Sequence, residues 1–217
     1  IYQCDWSSDV CSSDLDRLVA RELIALTSDG RTTPVIGMFL GGAGLADTMK
    51  YCREKIYPLG LPNGLSHVIT AVAVMVRQML GMGGGILPPK PSPIEVKVRR
   101  HGTLSGRFAL LAVTTLEKLL LGSDLHTAGK GPLKLLAVDH RSSSLLRGLF
   151  AGLGGRLGRK KLSGVHVEEA DEISIEGDRS SVFLDGEMFE AGIGKPIRLT
   201  PAAPLSFVRL EIGRAHV

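Results

Sequence analysis

A chain of 217 residues with 44% hydrophobic and 22% charged residues has the make-up of a folded globular protein, long enough for one good core or two small ones. Its formal charge of +4 points to an anionic partner: a nucleotide, a phospholipid headgroup or a nucleic acid. Aromatics are only 5% and are not interleaved with Lys and Arg, so the stacking platforms of single-strand binders are missing and nucleic acid is set aside as a partner.

Both ends read as non-native. The tail Glu211-Ile212-Gly213-Arg214-Ala215-His216-Val217 can be encoded by DNA whose reverse complement translates as Asp-Val-Cys-Ser-Ser-Asp-Leu, the peptide Asp9 to Leu15. No fold requires inverted identity of that kind, whereas DNA library ends produce it. Residues 1–15 and 211–217 resemble translated sequencing adapter and are excluded from fold reasoning as a tag would be. The expectation is a metagenomic fragment with native sequence over 16–210, cut at both ends. Without Asp5, Asp9 and Asp14 the formal charge rises by three to +7, Glu211 and Arg214 cancelling. Cys4, Cys11 and Trp6 go too, leaving Cys52. One thiol excludes a disulfide framework and a Cys-based zinc site, and fits a reducing cytosol.

In chain order the pattern is mixed α and β. Leu18 to Leu26 reads as a strand closed by the turn residues Ser28-Asp29-Gly30. Pro34 to Leu40 is a continuous apolar run suited to a buried strand. It enters Gly41-Gly42-Ala43-Gly44, and a helix is predicted over 45–57, stopped by Pro58. A strand, glycine turn and helix start can cradle phosphate on free backbone N–H groups. However, the dinucleotide fingerprint wants a third glycine where Asp47 stands. The plain alternative is that Gly41, Gly42 and Gly44 permit close strand–helix packing. Asn63 caps a second predicted helix over 63–82, whose apolar stretch from Val68 to Val76 is too short to span a bilayer. Residues 83–93, with Gly83-Gly84-Gly85 and the Pro88 to Pro93 run, form a linker.

Beyond the linker the period changes. Ile94-Glu95-Val96-Lys97-Val98-Arg99 alternates strictly, as a half-exposed strand does. Arg107 to Thr115 and Leu133 to Val138 are further strands. A helix over 145–157 carries an apolar stripe at 145, 146, 149, 150, 153 and 157, weakened by glycines. Short strands follow near 164–168, 172–176, 181–185, 196–200 and 206–210. Near-regular spacing of that kind argues a sandwich or barrel. The cluster Arg156, Arg159, Lys160 and Lys161 is either a solvated charge run or a rest on an anionic membrane surface. The histidines outside the adapter-like ends show no metal-ligand spacing, so no metal ligands are assigned.

Val182-Phe183-Leu184-Asp185-Gly186-Glu187-Met188-Phe189 concentrates the chemistry. Asp-Gly between apolar runs is ordinarily a hairpin turn, Gly186 supplying positive φ. A slightly bent Asp-Gly-Glu also aims two carboxylates, Asp185 and Glu187, into one space.

The segments Val167 to Ile175, Phe183 to Phe189 and Ile197-Arg198-Leu199-Thr200-Pro201 resemble the C-terminal lobe of the diacylglycerol kinase-like lipid kinase family, which includes sphingosine kinases. Phe39 to Gly44, Gly106-Arg107-Phe108 and Gly131 to Leu135 fall in matching order, so the resemblance covers nearly all of 16–210. It implies an α+β fold: a β-rich sandwich lobe with helical insertions, whose N-terminal α/β nucleotide lobe is missing here. Nothing matches the family's Gly-Gly-Asp-Gly-Thr motif, and Lys130-Gly131 stands where many members carry Asp-Gly, a cation replacing a carboxylate that in some relatives helps hold a structural magnesium. The resemblance further implies ATP and Mg2+ as cofactors, and transfer of the γ-phosphoryl group to a lipid hydroxyl by a cytoplasmic protein at the membrane surface, with a homodimer possible. Asp185 would be the base or a second-sphere magnesium partner, Glu187 would orient nucleotide or metal water, and Gly186, Gly41, Gly42 and Gly44 would approach the cofactor. The fragment alone would be inactive. Two other readings stay open: a non-catalytic sandwich binding a lipid or partner, and a dinucleotide-binding fragment using Gly41 to Gly44.

Overall fold

Alternation and apolar runs become antiparallel strands throughout the described part of the chain. The computed structural model describes residues 18–60, 90–116, 118–119, 123–124, 131–153, 157–158, 161–177, 180–191 and 194–208. The adapter-like ends, the helix expected over 63–82 and most of the 83–93 linker lie outside them.

The elements are β1 (Leu18–Thr27), β2 (Val35–Gly37), β3 (Phe39–Gly42), α1 (Gly44–Tyr51), β4 (Ile94–Val98), β5 (Gly102–Gly106) and β6 (Phe108–Thr114). Then come a two-residue ladder, β7 (Lys118–Leu119) with β8 (Ser123–Asp124), β9 (Leu133–Asp139) and α2 (Ser142–Leu153). The rest is β10 (Val165–Ala170), β11 (Ile173–Gly177), β12 (Ser180–Leu184), β13 (Glu187–Ala191) and β14 (Ile197–Val208). One six-stranded sheet has the order β2-β1-β14-β11-β4-β5, the other β10-β9-β6-β3-β12-β13. The architecture is α+β: a sandwich of two antiparallel sheets with helices added.

The two inner faces meet in a single apolar layer. Ile24, Leu26, Val96, Ile173, Ile175, Ile197 and Leu199 come from the first sheet, and Leu40, Leu111, Val113, Leu133, Leu135 and Val182 from the second. In β4 the alternation is clean: Ile94, Val96 and Val98 face in, while Lys97 bonds Glu176 across the outer face at 3.1 Å. In β9 both faces are covered. Leu133, Leu135 and Ala137 join the central layer, and Leu136 and Val138 join a second cluster with Ala151 of α2. A strand buried on both sides reads as a continuous apolar run, which is why 135–138 shows no alternation.

Three expectations change in detail. The Pro34–Leu40 run is two strands, β2 in the first sheet and β3 in the second, with a corner at Met38. The strands expected over 196–200 and 206–210 are one, β14, which passes through Pro201 and Pro204. It tolerates them because β11 covers only Ile197–Leu199 and the β1 ladder shifts register between Arg21 and Leu23. The helix expected over 45–57 is α1 continued by a π turn at Cys52–Ile56 and a 3-10 turn at Tyr57–Leu59 that admits Pro58.

Candidate functional site

β12 and β13 close on a two-residue turn, with Leu184 opposite Glu187. Asp185 (φ 46°) and Gly186 (φ 98°) are both left-handed, the geometry that lets a two-residue turn follow the twist of its strands. Aspartate is one of the few side chains that enter this region readily. Its carboxylate is engaged as well. Oδ2 accepts the Met38 N–H at 2.8 Å and Oδ1 accepts the Phe39 N–H at 3.0 Å, while the Asp185 N–H donates to the Phe39 carbonyl at 3.0 Å. Met38 is the corner between the sheets, so Asp185 clips the point where the chain crosses from one to the other. The Thr114 hydroxyl donates to the Met38 carbonyl at 3.1 Å, satisfying the corner's remaining polar group. Gly37 belongs to the same arrangement: a Cβ there would stand 2.6 Å from Leu184 Cγ.

Glu187 is different. Its side chain is exposed and takes part in no hydrogen bond or ion pair among the described residues. Arg53, from the π turn, donates through Nη2 to the Gly186 carbonyl at 2.9 Å, bringing a guanidinium to the turn. The structure thus gathers Asp185, Gly186 and Glu187 at one exposed turn and adds Arg53 and Met38. No local sequence signal marks those two, because they lie more than a hundred residues from the turn.

Gly41 and Gly42 lie mid-sheet, each paired with β12 on one side and β6 on the other. Packing accounts for their missing side chains: a Cβ at Gly41 would strike the Phe183 ring, and one at Gly42 would sit 3.1 Å from Leu111 Cδ2. At Gly44 the neighbour is backbone, the Ala109 carbonyl oxygen at 2.6 Å. This geometry favours the packing account of the glycines over a phosphate cradle. Asp47 lies in the first turn of α1, where burial pushes its carboxyl up and Lys50 draws it part of the way back.

Ala43 between them holds φ 55° and ψ −137°, a conformation natural to glycine. Ala43→Gly is therefore expected to stabilise the protein by about 1 kcal/mol, read as a raised urea midpoint at unchanged slope. A lowered midpoint would contradict the strain.

A cavity of about 480 Å³, lined by Thr27, Ser28, Asp29, Gly194, Lys195, Pro196 and Arg198, opens elsewhere and does not include the turn. Among the described residues no group of three or more His, Cys, Asp or Glu side chains could hold a metal ion. With Asp185 engaged by two amides, the described residues do not form a magnesium cage. No described helix is long and apolar enough to cross a membrane.

No protein-family model and no curated protein matches the chain. Solved structures do. A provisionally named diacylglycerol kinase from Bacillus anthracis str. Sterne shares 13% identity over 87% of this chain and 55% of its own, with a TM-score of 0.52. Two further structures from that strain, one called a diacylglycerol kinase and the other again provisionally named, give TM-scores of 0.47 and 0.48 at 12% and 13% identity. They are covered over 52% and 56% of their length, with 86% and 87% of this chain aligned. The chain spans about half the length of the structures it matches. At such identities the likeness is one of fold, and only the TM-score of 0.52 carries weight.

Proposed function

We propose that this chain is the β-rich lobe of a lipid kinase of diacylglycerol kinase type, the whole enzyme moving the γ-phosphoryl group of ATP to a lipid hydroxyl. The observation that supports it is the two-sheet fold shared, over 87% of the chain, with the B. anthracis structure. In this reading a nucleotide lobe supplies the ATP and magnesium site. The acceptor hydroxyl must lose its proton as the new P–O bond forms, which calls for a carboxylate within hydrogen-bond reach. Glu187 suits that task, since its carboxylate is exposed and unengaged among the described residues. Asp185 positions the turn, and Arg53 braces it through the Gly186 carbonyl.

The test is transfer of labelled phosphate from ATP to diacylglycerol by this chain joined to the nucleotide lobe of the B. anthracis relative. Transfer is expected from the joined protein and none from the 217-residue chain alone. A joined protein that folds and binds ATP but transfers nothing to diacylglycerol or other lipid alcohols would overturn the reading. A second reading, a binding sandwich without chemistry, is favoured by the Asp185 carboxylate being saturated by backbone amides; under it Glu187 is merely solvated.

A further inference from the structure

Where β1 ends, the first sheet runs into a cleft of about 480 Å³, set between the turn that follows Thr27 and the turn that precedes Ile197. Thr27 and Arg198 face each other across the β1–β14 ladder, and Arg198 faces Ser174 of β11 on its other side. Ile197 and Leu199 are fully buried in the sandwich, so alternation turns the Arg198 side chain outward, where it lines the cleft.

The charges of the lining do not cancel. Lys195 is bound to Asp29, which ties the two turns together. Each partner holds the other charged: the ammonium keeps the Asp29 carboxyl below its ordinary range, and the carboxylate pushes Lys195 up. Arg198 is exposed and its guanidinium forms no ion pair among the described residues, unlike Lys97 on the same face, which meets Glu95 and Glu176. One net positive charge therefore stays open to a ligand. Hydroxyls stand beside it. That of Thr27 reaches the Arg198 carbonyl only at 3.4 Å, well beyond the usual O–H···O length of about 2.7–2.8 Å, so its proton is available. Ser28 adds a second hydroxyl.

Size and polarity describe the rest of the ligand. A bare oxyanion would leave most of the cleft empty. Sites for apolar ligands are lined mainly by hydrophobic and aromatic side chains, whereas Pro196 is the one apolar side chain of this lining. An acyl chain would find nothing to pack on. Ligand hydroxyls would find Asp29, whose carboxylate keeps lone pairs to spare beside Lys195. We propose that this cleft binds a small, soluble phosphorylated polyol, its phosphate held by Arg198 and the Thr27 and Ser28 hydroxyls and its own hydroxyls donating to Asp29. The lining does not include the Asp185–Glu187 turn, so this site and the kinase reading can fail separately.

The experiment is calorimetric titration of the full chain with glycerol phosphate, and with glycerol, inorganic phosphate and dibutyryl phosphatidic acid for comparison. Glycerol phosphate should bind, inorganic phosphate more weakly, and glycerol not at all. Dibutyryl phosphatidic acid keeps the phosphomonoester but blocks the hydroxyls, so it too should bind more weakly. Arg198→Gln should weaken glycerol phosphate binding about tenfold or more, through loss of a charge-assisted contact, with an unchanged melting curve. Ser28→Ala, which removes only a hydroxyl, should weaken it about threefold. Arg141→Gln, which removes an exposed cation beside the second sheet, should leave the affinity as it was. Absence of heat with glycerol phosphate, undiminished affinity in Arg198→Gln or Ser28→Ala, or an equal loss in Arg141→Gln would each overturn the proposal. So would inorganic phosphate or phosphatidic acid binding as tightly as glycerol phosphate.

Discussion

Gly44→Ala should lower the stability of the chain by about 3 kcal/mol, the upper range for forcing atoms into a packed interior. The new Cβ would stand 2.6 Å from the Ala109 carbonyl oxygen, and 3.1 Å from both the carbonyl carbon and Cα of Ala109. These atoms belong to Ala109, the bulged residue of β6 between Phe108 and Leu110, which pair with Asp139 and Val138 of β9. A flexible side chain could swing away, but the backbone of Ala109 is held at both ends by the paired residues Phe108 and Leu110. The same substitution run backwards at the preceding residue, Ala43→Gly, has the opposite sign. Urea unfolding of the two variants checks both; a loss below about 0.5 kcal/mol for Gly44→Ala, within the range of ordinary surface changes, would contradict the close approach.

Asp185→Ala is the second large effect, about 2 kcal/mol of destabilisation. It leaves the Met38 and Phe39 N–H groups without their carboxylate acceptor and puts alanine at φ 46°, where a Cβ is strained. Asp185→Asn should fall between, because asparagine accepts the left-handed turn but offers one carbonyl oxygen to two donors. Glu187→Ala should change stability by less than about 0.5 kcal/mol, since the side chain is exposed and unengaged among the described residues. Denaturant midpoints for the three variants separate the roles. If Asp185→Ala cost no more than Glu187→Ala, the clip between the sheets would not exist as a stabilising contact.

What was legible in the sequence was local. The alternation of Ile94 to Val98 identifies a half-exposed strand, and Asp185-Gly186 between apolar runs identifies a hairpin; both are found. The resemblance carried by Val167 to Ile175 and Phe183 to Phe189 implies a β-rich sandwich, and two packed sheets are found. The split of Pro34–Leu40 was hidden because an apolar run looks the same whether it stays in one sheet or crosses into another. The residue that fixes the crossing, Asp185, lies 147 positions from Met38. Helix α2 misleads in a different way. The predicted stripe of large residues is divided: Leu145 and Leu157 pack on the second cluster, whereas Leu149 and Phe150 are exposed and the small Ser144 and Ala151 are buried. The carboxylates at 185 and 187 look equivalent in sequence, and only the corner at Met38 distinguishes them.

Glu187→Gln in the chain joined to a nucleotide lobe tests the central claim most directly, by the rate of phosphate transfer from ATP to diacylglycerol. Glutamine keeps the size and hydrogen-bonding shape of the side chain but cannot take a proton. The rate is expected to fall about a hundredfold or more, with the melting temperature unchanged. A variant that turns over as fast as its parent would show that the acceptor's proton goes elsewhere and that the exposed turn of this sandwich has no part in the chemistry.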